Sequence, residues 1–304
     1  MPAFQDSRAQ YLYEAVVCGS VRSAAEKLGI VPSAVSRQIS LLEESLGVAL
    51  LERHRSGVVP TQAGQLILDY HRQNLAHRHD MLAKMDALRG LHSGSVSVVS
   101  GEGFAQELVD GPIRQFRQQY PGVSIALEIH GTNEIMRRVR EDEAELGLVY
   151  YAPADSHISS RGSARQPMHA IVQPGHALAG AAQTSLQELS QWPVALLQGV
   201  YGIRQLVEYG EQSDKIRLSP VLTSNLISVL ISFVTTGQGV TLLPRCAITA
   251  ELAQGQVLAI PVNNPAFQHA EMQLITRTGR QLSPAANRFL QYCMQGMQAF
   301  QQAV

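Results

Sequence analysis

The spacing of apolar residues changes near residue 93, and this change limits what the chain can fold into. Residues 7–89 carry apolar side chains at helical spacing almost throughout, whereas residues 94–280 alternate β-rich runs with helical ones. We place the boundary at the segment Gly90-Leu91-His92-Ser93-Gly94. Because 304 residues also exceed the usual size of one domain, we predict a helical head followed by a larger α/β part.

Composition excludes several classes of protein. With 45% hydrophobic and 16% charged residues, the chain has enough apolar surface to order itself, so disorder and fibrous repeats are excluded. No apolar stretch approaches the roughly 20 residues of a bilayer span, and the N-terminus lacks an export signal. The three cysteines are widely spaced, which favours a reducing cytoplasm. A net charge of −1 means that DNA binding must be argued from local pattern.

Glycines mark the ends of the predicted helices in the helical head. In the first predicted helix Leu12, Val16 and Val17 form an apolar stripe, and Gly19-Ser20 ends that helix and can cap the next. The second helix carries small residues that allow close helix packing, and it stops at Gly29, where a tight turn is possible. Two short helices joined in this way predict a helix-turn-helix.

The third helix is predicted to begin at Pro32 and to end at Gly47. Its buried stripe is Val35, Ile39, Leu42 and Leu46, and its other face carries Ser33, Ser36, Arg37 and Ser40. Short hydroxyls with one arginine suit a helix that lies deep in a major groove. On pattern alone, however, a solvated amphipathic helix explains the same face.

The segment after this helix favours the DNA-binding interpretation. Val48–Leu51 and Val58-Val59 are predicted strands, joined by a wing whose Arg53 and Arg55 can reach phosphates or the minor groove. We therefore predict a winged helix-turn-helix over residues 1–60. Thr61–Gly64 then caps a helix that runs to about Leu88, and residues 61–93 form a linker that pairs two copies on a pseudo-palindromic site.

The second part repeats a unit of strand, polar turn and helix. Val96–Val99 leads into Ser100–Gly103, and Val123–His130 leads into Gly131–Asn133 and a helix, before the strand Leu146–Tyr150. Helix N-termini at strand ends expose unpaired N–H groups, so an anion is the expected guest. The hydroxyls of Ser100 and Thr132 add donors.

Later segments predict a second lobe and a return to the first. The second lobe has strands at residues 170–172, 194–197, 220–222 and 240–244 and a helix at 226–234 that Asn225 caps. A strand at 271–276 and a helix at 284–299 return to the first lobe. We predict an effector-binding domain over 94–304, with lobe I at about 94–166 and 268–304 and lobe II at about 167–267. Two crossings make a hinge, and the cleft binds a small molecule.

The run AVVCGSVRSAAEKLGIVPSAVSRQISLLEESLGVALLERHRSGVVPTQAG, residues 15–64, resembles the DNA-binding signature of the LysR-type transcriptional regulators. The resemblance implies an α/β protein with an N-terminal winged helix-turn-helix and a two-lobed effector domain like that of periplasmic binding proteins. It implies a dimer or tetramer that binds double-stranded DNA and a small-molecule effector, with Ser33, Ser36, Arg37 and Arg53 near DNA. The chain departs at Val31-Pro32, where the family usually has Ser-Gln, so base preference is not inherited there.

The resemblance also implies where the effector binds. The contacts are expected at the end of the first strand, the turn after the second, and two loops of lobe II, at Ser100, Gly101, Thr132, Asn133, Tyr150, Tyr201, Arg204, Ser224 and Asn225. Some relatives have an arginine after the third strand for a carboxylate, where this chain has Tyr150-Tyr151 and Arg204 is the nearest substitute. We therefore expect an organic anion or an aromatic compound.

Signals for catalysis, cofactors and metals are weak. No GxSxG or HExxH occurs, and neither G-x-G continues to a dinucleotide fingerprint, so we predict no catalytic residues, no cofactor and no enzyme activity. His71, His77 and His79 are expected to be solvated rather than to bind a metal. Cys246 is the only cysteine of lobe II, which disfavours peroxide sensing by a cysteine pair. The alternative function is a binding protein or enzyme of periplasmic-binding-protein fold with an incidental helical head.

Overall fold

The computed structural model describes residues 6–54, 57–88 and 94–301. The chain divides into two compact units, Met1–His79 and Asp80–Val304, and each has its own apolar core. The predicted fold class, a winged helix-turn-helix followed by a two-lobed α/β part, is confirmed. Among the described residues, none of the helices combines the length and the apolar character that crossing a bilayer requires.

The first unit is a small helical core with a two-stranded wing. Helices α1, α2 and α3 pack around buried residues such as Leu12, Val35 and Ile39, and β1 pairs with β2 in antiparallel fashion. The bounds are α1 Asp6–Val17, α2 Val21–Leu28, α3 Pro32–Leu46, β1 Leu51–His54, β2 Gly57–Pro60 and α4 Gln62–Leu88.

Local signals set most of these bounds. The Ser20 hydroxyl accepts a hydrogen bond from the Ser23 N–H at 3.0 Å and so caps α2, which ends at Gly29 in the left-handed conformation. The predicted apolar stripes extend too far, because Val17 and Leu46 are exposed at the helix ends. The first wing strand begins later than predicted, at Leu51.

Glu43 joins the third helix to the wing. Its carboxylate oxygen accepts hydrogen bonds from the N–H groups of Leu50 and Leu51 at 2.8 and 3.3 Å. Gly64, in the first turn of α4, packs against the same segment, since a Cβ there would lie 2.0 Å from the Leu50 carbonyl oxygen. The wing and α4 are therefore fixed against α3 by contacts that need a carboxylate and a glycine at these positions.

In the second unit, the first sheet has the strand order β4-β3-β5-β12-β6. Strand β3 lies parallel to β4 and β5, whereas β12 is antiparallel to both of its neighbours. We call this sheet and its helices lobe I. The bounds are β3 Gly94–Ser100, α5 Ala105–Leu108, α6 Arg114–Gln119, β4 Val123–Ile129, α7 Thr132–Arg140, β5 Leu146–Tyr150, β6 Ile158–Arg165, β12 Glu271–Arg277, α13 Pro284–Gly296 and α14 Gln298–Gln301.

The second sheet has the order β11-β7-β10-β8-β9, and we call it lobe II with its helices. Here β10, β8 and β9 are parallel, and β7 runs antiparallel to β10 and β11. The bounds are β7 Met168–Val172, α8 Leu186–Leu189, β8 Val194–Leu197, α9 Gly202–Asp214, β9 Pro220–Ser224, α10 Ile227–Thr235, β10 Val240–Pro244, α11 Thr249–Ala253, β11 Leu258–Pro261 and α12 Pro265–Gln268.

The chain crosses between the lobes at two adjacent points. One crossing follows β6 and contains Gln166, and the other precedes β12 and contains Ala270. The Gln166 N–H donates to the Ala270 carbonyl oxygen at 2.8 Å, so the two crossings are bonded to each other. This pair forms the hinge of the second unit.

Candidate functional site

The exposed face of α3 carries the residues predicted to read DNA. Ser33 and Arg37 are exposed and Ser36 is half-buried, while Val35 and Ile39 on the opposite face are buried. Positions 33, 36 and 37 share one helix face because their spacings are three and four residues. The head therefore presents two hydroxyls and one guanidinium on an anchored helix.

The start of α3 differs from a capped helix. Pro32 occupies the first turn, and the residue before it, Val31, is exposed and provides no side-chain cap. The first N–H groups of a helix lack intrahelical partners, so those of α3 remain able to pair with an external acceptor.

The wing arginines are only partly located. Arg53 lies in β1, opposite Val58 of β2, and the described residues do not include its side-chain placement. Arg55 lies outside the described residues. The backbone of the wing is anchored nonetheless, because the Val58 N–H donates to the Gly19 carbonyl oxygen at 3.0 Å.

The second candidate site is a cavity between lobes I and II. Its volume is about 30 Å³, room for about two water molecules, so the cleft is closed in this structure. Its walls are mostly apolar, and they are formed by Gly101, Glu102, Gly103, Phe104, His130, Thr132, Ile135, Val149, Tyr150, Leu197, Tyr201, Gly202, Ile203, Ile227, Pro244, Cys246 and Ala247.

Four of the predicted effector residues line this cavity, namely Gly101, Thr132, Tyr150 and Tyr201. The other five are not among its lining residues. Ser100 is buried and donates to the Gly101 carbonyl oxygen at 3.1 Å. Asn133 is exposed and accepts a hydrogen bond from the Gln205 side chain of lobe II at 3.2 Å.

The remaining three lie on lobe II. Arg204 is in the first turn of α9, where its guanidinium contacts the carboxylates of Glu208 and Glu211 at 3.1 and 3.0 Å. The Ser224 hydroxyl accepts a hydrogen bond from the Leu226 N–H at 3.0 Å. The predicted capping role of Asn225 is wrong, because the residue that precedes α10 is Leu226, which has no side-chain cap.

Glu102 of lobe I takes the place of that cap. Its two carboxylate oxygens accept hydrogen bonds from the Ile227 and Ser228 N–H groups of α10, at 2.6 and 3.2 Å. The sequence predicts Gly101-Glu102-Gly103 only as part of a turn and gives Glu102 no capping role. A carboxylate between two glycines at a strand end was the available signal.

Small residues let the lobes approach at the cleft. A Cβ on Gly202 would lie 2.0 Å from the Tyr150 carbonyl oxygen, and one on Gly103 would lie 2.7 Å from the Ala247 Cβ. The Gly202 N–H donates to the Thr132 hydroxyl at 2.9 Å, and that hydroxyl lies 3.5 Å from the Tyr150 carbonyl oxygen. The closed cleft therefore depends on glycine at these contacts.

The phenols of the cavity differ in their partners. Tyr150 donates its hydroxyl hydrogen to the Gln166 carbonyl oxygen at 2.8 Å, so a cavity wall is bonded to the hinge. Burial raises the pKa of Tyr150 and that of Tyr201, and the charge of Glu102 adds to the second shift. Both phenols are therefore neutral hydrogen-bonding groups near neutral pH.

The cavity shows no sign of metal or thiol chemistry. Burial raises the pKa of the Cys246 thiol, which keeps it protonated and unreactive. Within residues 6–54, 57–88 and 94–301, no cluster of histidine, cysteine and carboxylate side chains has the geometry to bind a metal ion.

Comparison with known proteins matches both units. The family profile described as "LysR substrate binding domain" matches residues 89–298, and "Bacterial regulatory helix-turn-helix protein, lysR family" matches residues 7–65. The HTH-type transcriptional activator CmpR of Synechocystis sp. is 29% identical over 281 residues, which cover 90% of each chain.

Solved structures share the fold. A full-length OxyR variant from Pseudomonas aeruginosa superposes with a TM-score of 0.72 at 18% identity, covering 97% of this chain and 96% of that one. The regulatory domain of Synechocystis CcmR in complex with 2-PG has a TM-score of 0.60 at 19% identity, covering 66% of this chain and 96% of that one.

We expect Gly202→Ala to weaken the closed cleft. The new methyl group would overlap the Tyr150 carbonyl oxygen, so α9 must move away from β5, and the unit should lose about 1–3 kcal/mol of stability. Unfolding can be followed by the fluorescence of Trp192, the only tryptophan of the chain. Gly199→Ala is the matched control, since the nearest atom to its Cβ would be 3.9 Å away. Equal stability of the two variants would contradict the prediction.

Proposed function

The chain belongs to the LysR family of transcriptional regulators, and we propose that it reads its operator with α3 and the wing and takes its effector in the cleft between lobes I and II. The single observation that carries the DNA part is the exposed face of α3. Ser33, Ser36 and Arg37 reach the base edges of a major groove, and Arg53 and Arg55 contact the phosphates beside it.

The effector part rests on the closed cavity. Relatives of this fold bind small molecules in their regulatory domains, as CcmR binds 2-PG. A cavity of about 30 Å³ is smaller than an aromatic ring or an organic acid, so such a guest requires the walls to move apart and favours a more open arrangement. A ligand shifts such an equilibrium only by its difference in affinity for the two arrangements. We propose that four residues contact the effector: Gly101, Thr132, Tyr150 and Tyr201. We propose that the other five support the structure of the cleft: Ser100, Asn133, Arg204, Ser224 and Asn225.

We further propose the domain limits 1–60 for the DNA-binding head, 61–93 for the linker and 94–304 for the effector-binding domain. The strand membership of the two sheets supports lobe I at about 94–166 and 268–304 and lobe II at about 167–267. A cytoplasmic location and the absence of catalysis complete the proposal, and the similarity to a transcriptional activator, CmpR, supports a regulatory role.

We propose a dimer because α4 carries exposed apolar side chains. Leu66 is 68% exposed, and Tyr70 and Met81 are also exposed on this helix. The spacing of four residues between Leu66 and Tyr70 places them on one face, an apolar seam that a second copy of α4 can cover. Two copies present two reading heads to the two halves of an operator, and a pair of dimers gives a tetramer.

The DNA assignment predicts that Arg37→Ala loses about 1–3 kcal/mol of binding free energy at an operator selected from genomic DNA by the wild-type chain. Arg53→Ala should weaken binding to all duplexes alike, because phosphate contacts carry no sequence information. A gel-shift titration against a scrambled duplex measures both effects. Arg22→Ala is the control, because this side chain of α2 is 85% exposed and pairs only with Glu26 in the described ion pairs. Equal binding of operator and scrambled DNA by the wild type would refute the proposal.

The effector assignment predicts that Thr132→Val abolishes the response to effector while operator affinity stays within about threefold of wild type. Valine keeps the shape of threonine and removes the hydroxyl that contacts Gly202. Thr132→Ser restores a hydroxyl and should retain the response. A reporter gene behind the operator, assayed with a panel of small aromatic compounds and organic acids, gives the measurement. A full response in Thr132→Val would mean that Thr132 is a purely structural residue.

The dimer assignment predicts that Leu66→Glu shifts the chain toward monomer. The substitution places a charge in the apolar seam, which must be desolvated when two copies pair. Sedimentation equilibrium measures the molar mass in solution. Gln65→Glu adds the same charge at an exposed position about 100° around α4 from Leu66 and should leave the assembly unchanged. An unaltered mass for Leu66→Glu would place the interface elsewhere.

A further inference from the structure

Glu102 supplies the chain's own anion to the cleft. It follows β3 in lobe I, whereas its hydrogen-bond partners, the N–H groups of Ile227 and Ser228, lie 125 and 126 residues later in lobe II. These two N–H groups begin α10, a helix of nine residues whose positive end faces the cavity wall. The anion-attracting N-terminus of α10 is therefore already filled by a carboxylate.

A permanently charged basic side chain that could balance a second anion is missing from the described part of the cavity lining. No lysine or arginine occurs among the described residues that line it. The lining does include one weakly basic side chain, the imidazole of His130. Its Nε2 already lies 3.3 Å from a carboxylate oxygen of Glu128. Arg204, the predicted carboxylate partner, is not a lining residue and is held by two glutamates of its own helix.

These contacts discriminate between ligand classes. An anionic guest must be buried beside Glu102 without a counter-charge, or must evict Glu102 and take over the same two N–H groups, and both routes cost binding free energy. A guest that donates a hydrogen bond gains a charged acceptor, because a carboxylate that accepts two N–H bonds keeps further lone pairs. The apolar walls, among them Phe104 and Ile203, favour a mostly apolar body.

We propose that Glu102 determines effector specificity, so that the cleft binds a small, mostly apolar molecule without negative charge that presents a hydroxyl or amine to Glu102. This proposal rests on the proposed function, because it takes the cavity as the effector site. Of the two effector classes expected from the sequence, an organic anion and an aromatic compound, the proposal favours the aromatic compound.

The first test removes the carboxylate of Glu102 by mutation and supplies a carboxylate in solution as acetate. In the full-length Glu102→Ala variant, acetate should raise the melting temperature, read from Trp192 fluorescence, because it can occupy the two vacated N–H groups. Acetamide and chloride at matched ionic strength should not, and the wild-type chain should not respond to acetate. Equal acetate effects on both proteins, or none on the variant, would overturn the proposal.

The second test compares two guests of equal size, benzyl alcohol and benzoate, by calorimetry with the full chain. The wild type should bind the alcohol at least about tenfold more tightly, and Glu102→Gln should bring the two affinities together. Glutamine keeps the shape but offers one acceptor oxygen to the two N–H groups, so a purely structural role for Glu102 predicts that both guests lose affinity alike and that their ratio stays the same. Asp110→Asn, an exposed carboxylate outside the cavity, is the control. Tighter binding of benzoate by the wild type, or an affinity ratio unaltered in Glu102→Gln, would overturn the proposal.

The two tests separate this proposal from the proposed function. The acetate measurement requires no knowledge of the effector, so it tests whether Glu102 fills an anion-attracting position even where neither aromatic probe binds, and a failed rescue overturns the proposal. A failed acetate rescue with intact operator preference refutes only the role of Glu102. Loss of operator preference in the wild type refutes the regulator and leaves the acetate result standing.

Discussion

The close approach of backbone to backbone at Gly202 is the contact on which the effector cleft depends. Only a residue without a Cβ lets α9 begin against the carbonyl oxygen of Tyr150, and only then does its N–H reach the Thr132 hydroxyl. This arrangement places the N-terminus of α9 at the cavity, which Gly202, Thr132 and Tyr150 all line. Backbone contacts therefore set the shape of the cleft, and side chains determine which ligands it can bind.

Elements with strong local signals could be predicted from the sequence. Helix α3 begins at Pro32 and stops before Gly47 as expected, and strand β5 spans Leu146–Tyr150 as predicted. In each case the signal lies within the element itself: proline at a helix start, glycine at its end, or an unbroken apolar run. The same signals placed Ser33 and Arg37 on an exposed face, and the turn before α7 placed Thr132 at the cavity.

Features made by distant residues could not be predicted. Strand β6 reads as ISSRGSAR and has little apolar alternation, because its order comes from pairing with β12 more than a hundred residues later. Glu102 reaches α10 across a similar separation, so no local pattern distinguishes it from a turn residue. Arg204 is different, since Glu208 and Glu211 follow it at spacings of four and seven residues, which already indicated a helix with paired charges.

The bond between the two hinge crossings has a mechanical consequence. Because the Gln166 N–H donates to the Ala270 carbonyl oxygen, the two crossings lie side by side, an arrangement that favours rotation of the lobes about one short axis over sliding. Displacement then grows with distance from that axis, so a slight turn at the crossings becomes the largest opening at the far rim of the cleft. The phenol of Tyr150 lines the cavity and donates its hydroxyl hydrogen to the carbonyl oxygen of Gln166, so a displacement of this cavity wall is passed directly to the pivot.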